Sequence, residues 1–214
     1  DTEGPSIIIA NHPNTLMDAL LIAYISRQHI YFLAKATLFK SKWRLRFLQR
    51  WHMIPINRPG EGRVDGVKNT ESFSACFKVL DEGKRIVVFP EGSSYKERVL
   101  RQLKTGAARI ALDFEHKHDG KAGLTVIPMG INYSDQERFQ SSILVSIGTP
   151  IQVADYLESY RKDFANTSRE LTKLFRVRLE DLLITAYDQQ EDKLFELLRD
   201  ILASKYLMQE KDDF

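Results

Sequence analysis

An α/β layered domain, with a central mixed sheet flanked by helices and followed by a C-terminal helical segment, is the fold class that this sequence predicts. Short apolar, β-branched runs alternate with segments whose apolar residues recur at helical spacing. Two of these runs, residues 7–10 and 85–89, end in polar turns, where α/β proteins place their chemistry. Helical patterns dominate after residue 152. We therefore expect an α/β domain over residues 1–152 and a helical extension, packed on or beside it, over residues 153–214.

Local signals justify the individual elements in chain order. Residues 7–10 form a buried-type strand, because Gly-Pro precedes them and Asn-His-Pro follows. Asn14 and Thr15 favour helix initiation, and apolar residues at helical spacing continue to about Ser26. The remaining predicted elements are strands over 30–34, 85–89, 124–129 and 143–147, an extended segment over 54–58, and helices over 36–51, 70–80 and 105–114.

The composition is that of an ordinary globular protein, with 43% hydrophobic and 28% charged residues and a net charge of +2. The single cysteine, Cys76, excludes an internal disulfide and a metal site built from several thiolates. No apolar run reaches the roughly 18 residues that a membrane-spanning helix needs. The chain opens without an initiator Met, so we expect it to be a fragment from which an N-terminal membrane segment could be missing.

The first group of candidate catalytic residues is His12 and Asp18. His12 lies in a strand-to-helix turn, and Asp18 follows on the predicted helix, from which its carboxylate can fold back onto the imidazole. A carboxylate in that position fixes the tautomer and stabilises the imidazolium, leaving the other ring nitrogen to take a proton from an acceptor alcohol. The alternative is a histidine that caps the helix beside an unrelated surface aspartate.

Two further groups could bind a substrate. Glu91 follows the strand over 85–89 and could bind an acceptor hydroxyl or order its loop, while Gly92 and Ser93 could present N–H groups to an anion. The alternative is an ordinary turn.

The extended segment over 54–58 ends at Asn57 and Arg58, and an arginine there can hold a phosphate through two parallel hydrogen bonds. The alternative is a solvated surface arginine.

These groups together resemble the glycerolipid acyltransferase superfamily, which includes lysophosphatidate and glycerol-3-phosphate acyltransferases. Its four sequence blocks match residues 11–18, 54–58, 89–94 and 126–129, and the resemblance spans residues 7 to about 150. It implies direct acyl transfer from a thioester of coenzyme A or acyl carrier protein, without another cofactor, a metal or a covalent enzyme intermediate. It also implies His12 as general base, Asp18 as its orienting partner, Arg58 near an acceptor phosphate and Glu91 in the acceptor-binding block.

The sequence departs from the family pattern at three positions. Five residues separate His12 from Asp18, where four are commoner, and His52 replaces the glycine that usually opens the second block. Ser94 replaces an arginine of the third block, so Arg98, Arg101 or Lys104 could supply that phosphate contact instead. The spacing and the run around Lys104 resemble fungal-type glycerol-3-phosphate acyltransferases, which keeps glycerol 3-phosphate open as an acceptor beside lysophosphatidate or another lysolipid.

The predicted helix over 36–51 is both basic and aromatic, which is typical of a helix lying in a membrane interface. We predict that it binds membrane lipids through Lys40, Lys42, Trp43, Arg44, Arg46 and Trp51. The alternatives are a helix packed on the domain with a solvated basic side, and a nucleic-acid surface, which we reject because no nucleic-acid motif accompanies it.

The sequence therefore predicts a phospholipid-synthesising acyltransferase at the cytoplasmic face of a membrane, with membrane lipids and an acyl thioester as its partners. A catalytically inactive lipid-binding module of the same fold and an acyl thioesterase are the competing functions. The oligomeric state and the chain length of the acyl group are left open by the sequence.

Overall fold

A computed structural model describes residues 4–26, 29–39, 41–57, 69–94, 98–136, 138, 141–185, 194 and 197, without the side chains of residues 42, 44, 45 and 49. Seven strands form one sheet: β1 (Ser6–Ala10), β2 (Ile30–Lys35), β3 (Met53–Ile56), β4 (Arg85–Val88), β5 (Thr125–Tyr133), β6 (Ile143–Ile147) and β7 (Ile151–Gln152). The helices are α1 (Thr15–Ile25), α2 (Lys42–Arg50), α3 (Asn69–Asp81), α4 (Gly106–Lys117), α5 (Leu157–Lys162) and α6 (Phe164–Glu180).

The sheet is mixed, as the sequence predicts, and its order is β3-β2-β4-β1-β5-β6. The first five strands of that order run parallel to their neighbours, whereas β6 and β7 pair antiparallel with β5. The central strands β1 and β5 are buried along their whole length, which explains their continuous apolar and β-branched composition. Because β1 lies between β4 and β5, the turns that leave these three strands meet at one edge of the sheet.

Helices cover the two faces of the sheet unequally. Apolar side chains of α3, α4, α5 and α6 pack with Ile7 and Ile9 in one core on the first face. The second face, which carries Ile8 and Ala10, is covered by α1, whose Ile22 is fully buried. Since the described part of the helical extension belongs to the first core, it packs on the α/β domain, while the domain boundary at residue 152 stays a prediction.

Two predicted elements are wrong in their extent. The helix over 36–51 is a 3-10 helix (Ala36–Phe39) followed by α2, and Ser41, a residue favoured at helix starts, directly precedes α2. Strand β5 continues to Tyr133 instead of ending at Met129, because pairing with β6 overrides the weak strand preference of Gly130 and Asn132. The short strand β7 is absent from the sequence prediction.

Candidate active site

Two turns that leave parallel strands bring the first and third sequence blocks together. Ile9 of β1 is paired with Val88 of β4, so His12 and Glu91 follow from adjacent strand ends. One Glu91 carboxylate oxygen accepts the His12 backbone N–H at 3.0 Å, and the other accepts the Arg101 backbone N–H at 3.0 Å. Burial raises the pKa of Glu91 above its ordinary value, although these N–H donors lower it. Glu91 therefore orders the loops around His12, and its binding of an acceptor hydroxyl stays a prediction.

The predicted pairing of His12 with Asp18 is present. His12 Nδ1 lies 2.9 Å from an Asp18 carboxylate oxygen, which also accepts the Asn14 backbone N–H at 2.7 Å. The Asp18 side chain is fully buried, so the alternative of an unrelated surface aspartate is wrong. The five-residue spacing is accommodated in a turn where Thr15 has a positive φ of 39°. This backbone conformation is strained for a non-glycine residue, and such strain clusters at functional sites.

The imidazole of His12 is held in a defined orientation. Its ring stacks on Phe89, with ring centroids 3.9 Å apart and planes 13° from parallel, and 16% of its side chain is exposed. A carboxylate can only accept, so Nδ1 carries the proton in the neutral ring. Nε2 is then the unprotonated nitrogen, which can act as a general base.

Tyr133 also binds Asp18, and sequence reasoning missed it. The Tyr133 hydroxyl donates to the second carboxylate oxygen of Asp18 at 2.8 Å. Burial raises the Tyr133 pKa and the bond to Asp18 raises it further, so the phenol stays protonated and donates at neutral pH.

The end of β5 is also joined to the first block through Asn11. The Asn11 side chain accepts the Ile131 N–H at 2.7 Å and donates to the Ile131 carbonyl at 2.9 Å.

The third block is tied to its surroundings by backbone contacts. Gly92 adopts a positive φ of 81°, and its N–H donates to the Phe89 carbonyl at 3.1 Å, so that N–H closes the turn and is not presented to an anion. The ammonium of Lys104 lies against Gly92, where a Cβ atom would approach it to 2.9 Å. Ser94, which replaces the family arginine, accepts the Thr15 backbone N–H at 3.0 Å and so connects this block to α1. Ser93 is half-buried in the same turn.

The second block starts with a left-handed residue. His52 has a φ of 57°, which explains why glycine is usual at this position, and its ring stacks on Tyr31 with centroids 4.6 Å apart. Asn57 follows β3 and borders an apolar groove between β3, α3 and α4. Arg58 lies outside the described residues.

Two cavities flank the joined blocks. The polar cavity, of about 30 Å³, is lined by His12, Glu91, Gln136 and Arg98, whose guanidinium donates to the Ser134 carbonyl at 2.9 Å. The apolar groove, of about 500 Å³, lies between β3, α3 and α4. Leu33, Phe73, Val88 and Phe89 line its apolar part, and Asn57, Lys104 and Arg109 line its polar part. Arg98 and Lys104 thus lie in different cavities, whereas Arg101 donates its backbone N–H to Glu91.

The predicted membrane-binding residues are partly described. Trp43 stacks on Phe47 along α2, and Phe47 makes a tilted ring contact with Trp51, which follows the helix. Trp43 is 72% exposed and Trp51 is 54% exposed. Arg46 is also exposed. Lys40 and the side chains of Lys42 and Arg44 lie outside the described residues. None of the described helices is both long and apolar enough to cross a bilayer.

Comparisons with known proteins identify the family of this chain. The profile of the acyltransferase family matches residues 1–132. The chain belongs to the acyltransferase family. Its relatives include "1-acyl-sn-glycerol-3-phosphate acyltransferase" of Bacillus subtilis, which is 32% identical over 59% of this acyltransferase chain and 57% of the relative. "Glycerol-3-phosphate O-acyltransferase 1" of Saccharomyces cerevisiae is 26% identical over 63% of the chain and 18% of the relative.

The match therefore spans just over half of the bacterial relative and about a fifth of the yeast relative. Among solved structures, the 1-acyl-sn-glycerophosphate (LPA) acyltransferase PlsC of Thermotoga maritima superposes with a TM-score of 0.47. It is 18% identical, and the superposition covers 80% of this acyltransferase chain and 68% of PlsC.

Proposed function

We propose that this chain is the catalytic domain of a membrane-associated enzyme that transfers a fatty acyl group from an acyl thioester to a hydroxyl of a glycerol-phosphate acceptor in phospholipid biosynthesis. The observation that carries the proposal is the buried Asp18 carboxylate, 2.9 Å from Nδ1 of a histidine whose ring is stacked beside two cavities. The names of the bacterial and yeast relatives support 1-acyl-glycerol 3-phosphate and glycerol 3-phosphate as acceptors.

His12 and Asp18 supply the proton transfers of this reaction. Nε2 of His12 takes the proton of the acceptor hydroxyl while that oxygen attacks the thioester carbonyl carbon, and Asp18 stabilises the imidazolium that forms. The C–S bond then breaks, and the imidazolium returns its proton to the leaving thiolate. The acyl group ends as an oxygen ester on the acceptor, without passing through a covalent enzyme intermediate.

The two cavities fit different parts of the substrates. The apolar lining of the larger groove suits an acyl chain, and the ammonium of Lys104 beside Gly92 suits a phosphate at its polar end. Asn57 borders the same groove. Arg58 is assigned to the acceptor phosphate by its place in the second sequence block of the family. The thioester is proposed to come from acyl-CoA or acyl carrier protein.

The membrane surface is proposed to include α1 as well as α2. The α1 sequence is apolar nearly all round, yet Leu16, Leu20 and Tyr24 are 57%, 41% and 88% exposed. A groove of about 260 Å³ runs from Leu16 and Leu20 to Trp51, so the two helices border one apolar surface. The cations of α2 favour an anionic lipid surface as its occupant and disfavour a second copy of the same basic chain.

An acceptor panel with one labelled acyl-CoA tests the proposed reaction. We expect acyl transfer to glycerol 3-phosphate or lysophosphatidate, and a loss of at least about a hundredfold in His12→Ala with folding intact. Acyl-CoA cleavage without transfer to any acceptor would identify a thioesterase instead. Lipid binding without turnover would identify an inactive module.

Arg58→Ala is expected to raise the acceptor KM far more than the donor KM, and equal effects would refute its phosphate role.

Vesicle co-sedimentation tests the membrane surface. We expect binding to anionic rather than neutral vesicles, weakened by salt, and lost in a variant with Lys40, Lys42, Arg44 and Arg46 changed to Gln. Tyr24→Ser should also weaken binding, whereas Phe164→Ser, an exposed aromatic residue on α6, serves as the matched control. Equal binding of anionic vesicles by all variants would contradict this surface.

A further inference from the structure

The chain that follows α6 returns to the active-site edge of the sheet. Residues 181–185, called the C-terminal strap here, lie against β5. The side-chain amide of Asn132 donates to the Leu182 carbonyl at 3.0 Å and accepts the Ile184 N–H at 2.8 Å. The buried Asn132 side chain therefore bonds the strap on both sides of Leu183, in the way that the backbone of a neighbouring strand would.

A glycine allows this close approach. A Cβ atom on Gly130 would lie 2.6 Å from the Leu182 carbonyl oxygen and 2.7 Å from Leu182 Cβ, which is closer than real contacts permit. The absence of a side chain at residue 130 is therefore a condition for the strap to lie on β5.

Four consecutive residues at the end of β5, residues 130–133, contact both the strap and the groups around His12 and Asp18. Gly130 and Asn132 carry the strap, while the alternate residues Ile131 and Tyr133 bond Asn11 and Asp18. Successive side chains of a strand point to opposite faces, so the Asn132 side chain that holds the strap and the Tyr133 side chain that binds Asp18 lie on opposite sides of one strand end. The backbone of Ile131, between them, bonds Asn11. The strap and the groups that orient His12 are therefore attached to neighbouring residues of β5.

The strap also forms part of the cavity beside His12. Leu183 and Ile184 line the polar cavity together with His12 and Glu91. At about 30 Å³, that cavity has room for a water molecule or a hydroxyl group but not for bulk solvent. The side-chain oxygen of Gln136, on the same lining, has no hydrogen-bond partner among the described residues, so it is available to a hydroxyl.

We infer that the C-terminal strap is a working part of the active site, which fixes the end of β5 and keeps bulk water from the acyl thioester. The inference rests on the proposed acyl transfer, and the strap itself lies beyond the matched family profile, which ends at residue 132. Without the strap, water competes with the acceptor hydroxyl: its oxygen bonds to the thioester carbon, the C–S bond breaks, and His12 passes the water proton to the thiolate. The products are a free fatty acid and the thiol.

The test compares hydrolysis with transfer in strap variants. Asn132→Leu removes both bonds at similar size, and Asn132→Asp keeps the acceptor for Ile184 while losing the donor to Leu182. We expect Asn132→Leu to raise the ratio of hydrolysis to transfer about tenfold, the shift produced by about 1.4 kcal/mol of lost bonding. The ratio should also rise in Asn132→Asp, because a carboxylate oxygen would then face the Leu182 carbonyl oxygen. Thr172→Val, which removes a buried hydrogen bond within α6, should lower stability without changing the ratio.

Hydrogen exchange supplies a second measurement that does not need turnover. The amides of Ile184, Ile131 and Asn14 should exchange faster in both Asn132 variants, whereas Thr172→Val should leave them unchanged. An unchanged ratio in folded Asn132 variants would overturn the inference, as would faster exchange confined to Ile184. A wild-type chain that transfers to no acceptor would refute the proposed function, and the exchange result would then decide whether the strap positions the His12 turn.

Discussion

Removal of the Tyr133 hydroxyl is the sharpest test of how Asp18 is held. Among the described residues, Tyr133 donates to one Asp18 oxygen, while His12 and Asn14 contact the other. Tyr133→Phe therefore leaves one oxygen of a fully buried carboxylate without that donor. A hydrogen bond to a charged group contributes about 1.5–3 kcal/mol, and its loss frees the carboxylate to turn away from the imidazole.

We expect kcat to fall about tenfold in Tyr133→Phe, which corresponds to about 1.4 kcal/mol of lost transition-state stabilisation. Both KM values should change little, because the lost interaction supports the imidazolium and not the substrates. The assay is steady-state transfer from a labelled acyl thioester, with the unfolding free energy measured by urea in parallel.

Tyr160→Phe is the matched control. The Tyr160 hydroxyl also bonds a carboxylate, that of Asp113, on the helical side of the molecule away from His12. This variant should lose stability and keep its kcat. Normal turnover in folded Tyr133→Phe, or an equal loss of turnover in both variants, would refute the argument that Tyr133 acts through Asp18.

Three further predictions concern stability and reactivity. Burial raises the Cys76 pKa to about 12, so thiol reagents should label Cys76 only after denaturation, and rapid labelling of the native protein would contradict this. His52→Gly should be about 1 kcal/mol more stable than His52→Ala in urea melts, because both lose the stack on Tyr31 but only glycine relieves the left-handed backbone; equal stability would argue against that strain. Glu115→Gln should cost about 1–3 kcal/mol with turnover unchanged, since the buried Glu115 accepts three backbone N–H groups after α4, and a cost near zero would show that they find other acceptors.

Most strands and helices follow from the sequence because their signals are local. The strand at residues 7–10 and the helix that carries Asp18 are marked by apolar spacing and by turn residues within a few positions. The extension of β5 to Tyr133 is different, because its last residues are strand only by virtue of their pairing with β6. That pairing involves residues 10 to 16 positions away, which a local pattern does not contain.

The contact between His12 and Asp18 could likewise be predicted, since they are six residues apart and a turn and a helix fix their relation. The meeting with Glu91 also follows once β1 and β4 are parallel neighbours. Tyr133 and the strap could not be predicted, because the bonds from Tyr133 to Asp18 and from Asn132 to Leu182 join residues 115 and 50 positions apart. Their meeting depends on strand order, strand length and register.

The sequence by itself thus determined the chemistry of the site, because the histidine, the carboxylates and the turns that present them are encoded in short segments. The tertiary structure decided which groups contact those residues, among them Tyr133 and the C-terminal strap. The physical reason is that hydrogen-bond geometry across a sheet changes completely with a shift of one residue in register, and register is set by packing of the whole core.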